Sequence, residues 1–200
     1  DNGPAGEETL YYSFDAGPVH LSMVSTSSPP ARDRVNVEWL RQDLDAADRP
    51  IKLVFGHEPA YPYFFHVGES LDVHPEARDA FWQTLIDEGA WAYFCGHEHY
   101  FNHWYHDGVH QIITGGGGGL GIDHHYLIVE ADAAEVAVSV HEISGELRRR
   151  FTLSEIDGVD RSDRDDPQAQ IARFGPCAAP FFALGVVILA GADLLQRRGN

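Results

Sequence analysis

Apolar positions along this 200-residue chain fall into short β-type runs interrupted by two helical stripes. The first apolar stretch, 11–26, reads as two strands folded about the turn Asp15-Ala16-Gly17-Pro18. Val37, Leu40, Leu44 and Ala47 then share one face of a helix that Pro50 closes. Residues 51–55 are nearly continuously apolar, as suits a strand covered on both faces. A second helix is expected from Pro75 to Gly89. Proline opens it, Glu76 and Asp79 suit its N-terminal dipole, Ala77, Phe81 and Leu85 form its stripe, and glycine stops it. Residues 91–95 form another buried-type strand, so strand, helix and strand make a βαβ unit and hence a parallel sheet. The runs 109–114, 126–130, 136–141 and 147–153 have no helix between them and predict an antiparallel sheet completing an α/β domain.

The remainder divides in two. Residues 155–172 are charged and aperiodic, a solvated linker. Within 173–200, the 19 residues from 174 to 192 carry no charge and are followed by Arg197-Arg198. That length approaches the roughly 20 residues of a membrane span, and the trailing arginines would put the main domain outside the cytoplasm. A buried hydrophobic helix and a processed sorting tail are the alternatives. The expected plan is a domain at 1–154, a linker at 155–172 and a transmembrane anchor with a short tail at 173–200.

Composition narrows the classes. With 14 Lys+Arg against 31 Asp+Glu, the net charge of −17 argues against gripping a phosphate backbone, so no nucleic-acid partner is expected. At 44% hydrophobic and 12% aromatic the chain can bury a core, and two cysteines are too few for a disulfide framework. Residues 1–9 are polar and lack the parts of an export signal; the chain opens in mid-element, as a piece of something longer would.

Twelve histidines are the chemical feature. Phe55-Gly56-His57-Glu58 ends one buried strand and Cys95-Gly96-His97-Glu98-His99 ends the next. Ligands of open α/β sheets gather beyond the carboxyl ends of parallel strands, so both Gly-His pairs are expected on one edge. Glycine there permits a sharp turn and close backbone approach. His57, His97 and His99 are therefore the candidate metal ligands, because neutral imidazole suits first-row ions. A zincin His-Glu-x-x-His is excluded by Tyr61 and Phe101. Gly115–Gly119 lacks the lysine and the following helix of a phosphate loop and reads as a loop bordering the edge. Seven further histidines, His66, His74, His103, His106, His110, His124 and His125, read as surface or rim residues, with His103 and His106 close enough in sequence to line a pocket. Cys95 reads as a small core residue.

These blocks, together with Tyr12-Ser13-Phe14-Asp15-Ala16-Gly17-Pro18-Val19-His20, Trp39-Leu40-Arg41-Gln42-Asp43-Leu44 and Thr114-Gly115-Gly116-Gly117, resemble in order and spacing the calcineurin-like metallophosphoesterases, including the purple acid phosphatases. The resemblance covers most of 11–153 and implies the C-terminal portion of an α/β fold, a metallophosphoesterase-type β-sandwich flanked by helices. It implies a phosphoric ester hydrolase with two divalent or trivalent ions (Fe, Zn or Mn), in which metal-bound hydroxide attacks phosphorus. His57 and His97 would hold one ion and His99 the other. The family's Asp-x-His, Gly-Asp-x-x-Asp and Gly-Asn-His-Asp/Glu motifs are absent. The general-acid histidine would lie before Asp1, and the chain alone is expected to be inactive. A phosphate ester is the expected partner; monoester, diester, nucleotide and phospholipid all fit, with selectivity in loops such as 62–74. A non-catalytic, membrane-anchored protein of the same fold and a single-metal hydrolase or oxygenase of another fold are the competing readings.

Overall fold

Tyr12–Ala16 (β1) and Val19–Met23 (β2) form the expected hairpin, with Asp15 opposite His20 across the pair. The computed structural model describes residues 2–27, 32–117 and 123–154 and the backbone of 186–190. Val37–Ala46 (α1) starts at Asn36, whose side chain accepts the Trp39 amide at 3.1 Å, as an N-cap does. Ile51–Phe55 (β3), Pro75–Asp87 (α2) and Ala92–Cys95 (β4) form the βαβ unit, β3 pairing parallel with both β2 and β4. A short 3-10 turn, Leu71–Val73, precedes α2. The end of α2 shows why glycine stands at 89. Gly89 has φ +69°, and this left-handed step lets its amide reach Ile86 O (3.2 Å) while Ala90 N reaches Leu85 O (2.9 Å). The sole lysine of the chain, Lys52, donates to Glu88 O at 3.0 Å, placing a cation on the C-terminal carbonyls of α2.

Two expectations change beyond β4. Phe101–His106 (β5) is a strand that the aromatic- and histidine-rich sequence did not announce, and Val109–Thr114 (β6) pairs parallel with β4 instead of starting an antiparallel sheet. The reason is the Asp107-Gly108 turn. Both residues have positive φ (48° and 99°), as a two-residue hairpin requires, so β5 folds back on the outer side of β6. The resulting sheet has the order β1-β2-β3-β4-β6-β5. His125–Ala131 (β7), Val136–Glu142 (β8) and Leu147–Thr152 (β9) are antiparallel neighbours, as expected.

The larger sheet carries a core on each face. Val19, Leu21, Ile51, Leu53, Phe55, Ala92, Phe94 and Ile112 pack against Leu127, Val129, Val136, Val138 and Val140 of the second sheet, with Phe55 and Phe94 stacked at 4.9 Å. On the opposite face Val54, Tyr93, Cys95 and Ile113 meet Leu40 and Leu44 of α1 and Phe81, Trp82 and Leu85 of α2. The architecture is a mixed α/β sandwich whose helices, among the described residues, cover one sheet. Because Leu44 is fully buried in that layer, Leu44→Ala is expected to lose about 2–5 kcal/mol in urea unfolding.

The linker 155–172 and most of the segment 173–200 lie outside the described residues. Where that segment is described, the expected hydrophobic helix is corrected: Val186–Ala190 (β10) is a strand, parallel to β7. Val186, Val187 and Ile188 are β-branched, and the edge of β7 offers unpaired backbone groups to such a run. No helix among the described residues is long and apolar enough to cross a membrane.

Candidate metal centre

Because β2, β3, β4 and β6 all run parallel, their carboxyl ends deliver four loops to one edge. Backbone bonds stitch two of these loops together: Gly56 N to Phe94 O at 3.0 Å and Gly96 N to His57 O at 2.9 Å. Glycine is required at 56 and 115 by space. A methyl group at 56 would strike the Tyr93 hydroxyl, and one at 115 would strike Glu98 O. The described part of the glycine run is thus a packed loop against the histidine motif, while Gly118 and Gly119 lie outside the described residues.

His57 and His97 meet as expected, His57 Nε2 lying 3.1 Å from His97 Nδ1. The other ring nitrogen of His97, Nε2, donates to Glu69 O at 3.2 Å. Since a carbonyl only accepts, that bond fixes the proton on Nε2 and leaves the Nδ1 lone pair facing His57. A ligating histidine is characteristically oriented this way, by a backbone carbonyl on its far nitrogen. His97 also sits at φ +63°, a left-handed conformation costly for a residue with a Cβ and concentrated at functional sites. Burial and the neighbouring His66 and His57 push the His97 imidazole down to about 4, and burial first, then His66 and His99, lowers His57. Burial and then His66 lower His99 as well. All three therefore favour the neutral form that binds metal.

The pair fits one ion: nitrogens 3.1 Å apart can both sit about 2.1 Å from a common cation. A complete coordination sphere is not assembled, since among the described residues no group of three His, Cys, Asp or Glu side chains is placed to hold a metal. The glutamates that follow His57 and His97 in sequence face elsewhere. Glu58 accepts from Ser27 at 2.6 Å, and burial, partly offset by that bond, raises its carboxyl to about 7; Glu98 turns into the protein.

One residue at this edge escaped the sequence. His66, read as a rim residue, has its ring centroid 3.9 Å from that of His97 and its Nδ1 3.2 Å from Glu69 Oε2. The only trace was a His-x-x-Glu spacing in an aromatic loop. His103 and His106, close enough in sequence to line a pocket, are engaged along β5. His103 is buried with its Nε2 2.9 Å from His110 Nδ1, and burial followed by the charges of His110 and Arg149 lowers it to about 2. His106 stacks on Trp104 at 4.5 Å near the far end of β5. His110 and His125 are also buried rather than superficial, His125 lying 3.1 Å from Thr114 Oγ1.

A histidine pair thus meets beyond the parallel strand ends of an α/β sandwich. The chain is 33% identical over 104 residues to purple acid phosphatase 23 of Arabidopsis thaliana, covering 48% of this chain and 22% of that protein. It is 31% identical over 102 residues to purple acid phosphatase 15 of the same plant, covering 49% and 18%. The solved structure of purple acid phosphatase PPD1 from yellow lupin superposes with a TM-score of 0.56 at 20% identity over 71% of this chain and 32% of that one. No family model matches. The chain spans about a fifth of the curated relatives it matches. The resemblance read from the motifs holds over about half of this chain, which is similar there to purple acid phosphatases.

Proposed function

We propose that the chain supplies the histidine-bearing part of a metal-dependent phosphoric ester hydrolase. The observation that carries this is the His57–His97 contact, with the far nitrogen of His97 held by Glu69 O. In this reading His57 and His97 hold one cation and His99 the other. When bound, the cations supply Lewis acidity toward a phosphoryl oxygen and lower the pKa of a water. The residues present do three things. Glu69 O fixes the tautomer of His97, burial keeps the imidazoles neutral, and His66, bonded through Nδ1 to the Glu69 carboxylate, packs its ring on that of His97. Glu58 and Glu98 do not contribute the carboxylates that two neighbouring cations need.

Titration of the 200-residue chain with Zn²⁺ or Mn²⁺, followed calorimetrically, tests the reading. Binding that His57→Ala and His97→Ala each weaken at least about tenfold is expected. Hydrolysis of an aryl phosphate by the chain alone is expected at background, and in a longer, active form it is expected to be abolished by EDTA. No binding of either ion, together with no EDTA-sensitive hydrolysis by the longer form, would refute it. That no third ligand converges among the described residues favours a second reading, a non-catalytic protein of the same fold. Metal binding without hydrolysis in the longer form would select that one.

A further inference from the structure

We propose that Glu98 is a positioning residue: a buried carboxylate that gathers the loop 63–66 and sets His66 against His97. Glu98 stands between His97 and His99 in the motif, yet its side chain points inward and the residue is fully buried. Its Oε1 accepts from the amides of Phe64 (2.5 Å), Phe65 (2.9 Å) and His66 (3.4 Å). Its Oε2 accepts from the amide of Tyr63 (2.8 Å) and from the Tyr100 hydroxyl (2.6 Å).

The four amides are consecutive, and none belongs to a helix or strand. Successive N–H groups curving onto one anion make the kind of concavity that proteins use to bind phosphate or carboxylate ligands. Here the chain fills it with its own side chain. The far end of the same loop is held by Gln111, fully buried on β6, whose Oε1 accepts from Tyr61 N at 2.9 Å and whose Nε2 donates to Tyr61 O at 2.7 Å. Two buried polar side chains therefore fasten an otherwise irregular loop, Glu98 to the histidine motif after β4 and Gln111 to β6.

The consequence is positional. The backbone holding His97 and His99 also holds Glu98, and Glu98 holds the amide of His66 itself, so the two histidine-bearing segments form one hydrogen-bonded body. That linkage sets the 3.9 Å ring contact between His66 and His97. With five donors around it, Glu98 has no need of a cation, which separates its role from that of its two neighbours. A glutamine at this place keeps the shape but turns one acceptor into a donor facing donors. The importance of the contact for hydrolysis rests on the function proposed above; the clamp itself does not.

Amide hydrogen exchange and histidine-ring NMR on the metal-free 200-residue chain test the proposal. In the unmodified chain the amides of Tyr63, Phe64, Phe65 and His66 are expected to exchange at least about tenfold more slowly than open-loop amides. Glu98→Gln is expected to remove that protection while the amides of β3 and β4 keep theirs. The His97 ring resonances should then move to the positions they take in His66→Ala, and the double variant should move them no further. A merely structural role for Glu98 would lower the melting temperature and leave the His97 resonances in place, and that result overturns the proposal. So does open-loop exchange of the four amides in the unmodified chain, a measurement that stands even where Glu98→Gln does not fold. None of these readouts uses metal or ester, so failure of the hydrolase reading and failure of this one are separate outcomes.

Discussion

His97→Ala is expected to lower phosphate-ester turnover by about three orders of magnitude or more in an active form of the protein. The residue carries three dependencies at once. Its Nδ1 faces His57, its Nε2 holds Glu69 O, and its ring packs on His66. In the proposed site, removing the imidazole takes away a cation ligand, and it also removes the anchor of the loop segment that carries Glu69. The fold should survive, because His97 lies past the end of β4 and is only half-buried. Its left-handed backbone sharpens the experiment. Alanine at φ +63° keeps the conformational cost of a Cβ, of order 1 kcal/mol, whereas glycine does not. His97→Gly should therefore lose turnover to the same extent while melting at a higher temperature than His97→Ala. Steady-state kinetics with an aryl phosphate, metal content by atomic absorption and thermal melts give the three readouts. Turnover within a few-fold of the unmodified protein in both variants would remove His97 from the site.

The second large effect lies away from the metal edge. Asp43 on α1 accepts from Ser22 Oγ at 2.6 Å and from Ser13 Oγ, and it lies 3.1 Å from His20 Nε2. The other nitrogen of His20, Nδ1, meets Asp15 at 2.8 Å. This network, buried at His20 and Ser22, nearly buried at Asp43 and open at Asp15, fastens the first helix to the β1–β2 hairpin, and Asp43→Asn sets an amide nitrogen among donors. A loss of about 2–4 kcal/mol is expected. The hydrogen bond to Asp43, against the opposing effect of burial, raises the His20 pKa. Its stabilisation is therefore complete below the ordinary histidine value of about 6.5 and is lost as pH climbs through the raised folded value. Asp15 is lowered, chiefly by the hydrogen bond from His20; for Asp43 burial pulls upward, but bonds from His20, Ser13 and Ser22 prevail and the carboxyl is lowered. Those contributions are present above the ordinary carboxylate value of about 4 and disappear as pH falls through the folded values. The network accordingly stabilises most between about pH 4 and 6.5. Melting temperatures of the unmodified chain and Asp43→Asn should differ most near the middle of that window and converge on both sides. A gap constant from acid to alkaline pH would show that His20 is not charged there.

How much of this could be read from residues alone depends on range. The hairpin at Asp15–Pro18, both helices and the βαβ unit followed from local periodicity and from Pro75 and Gly89, because each is specified by neighbours in sequence. The meeting of His57 and His97 was legible too, since parallel strands put their carboxyl ends on one edge. What failed was non-local. β5 carries polar aromatics and histidines on both faces, so no alternation marks it, and the swap of β6 to the inner position is decided by two positive φ values in its turn. His66 reaches His97 only because Glu98 and Gln111 tie down the loop between them, an arrangement without a spacing rule. His103, His110 and His125 looked superficial by residue type, yet hydrogen bonds to one another, to Leu153 O and to Thr114 let them be buried. The tail shows a further limit: an uncharged apolar run fits a spanning helix and a sheet edge equally well, and the β-branched Val186-Val187-Ile188 belongs to a strand.

The free thiol of Cys95 sits sealed between the helix layer and the central strands, and burial pushes its pKa well above the ordinary thiol value. Alkylating reagents act on thiolate that they can reach, so this sulfur is silent for as long as the sheet stays shut. Its rate of alkylation becomes a clock for breathing of the very strand that delivers the Gly-His motif, reporting loosened variants before any ensemble-averaged spectrum changes.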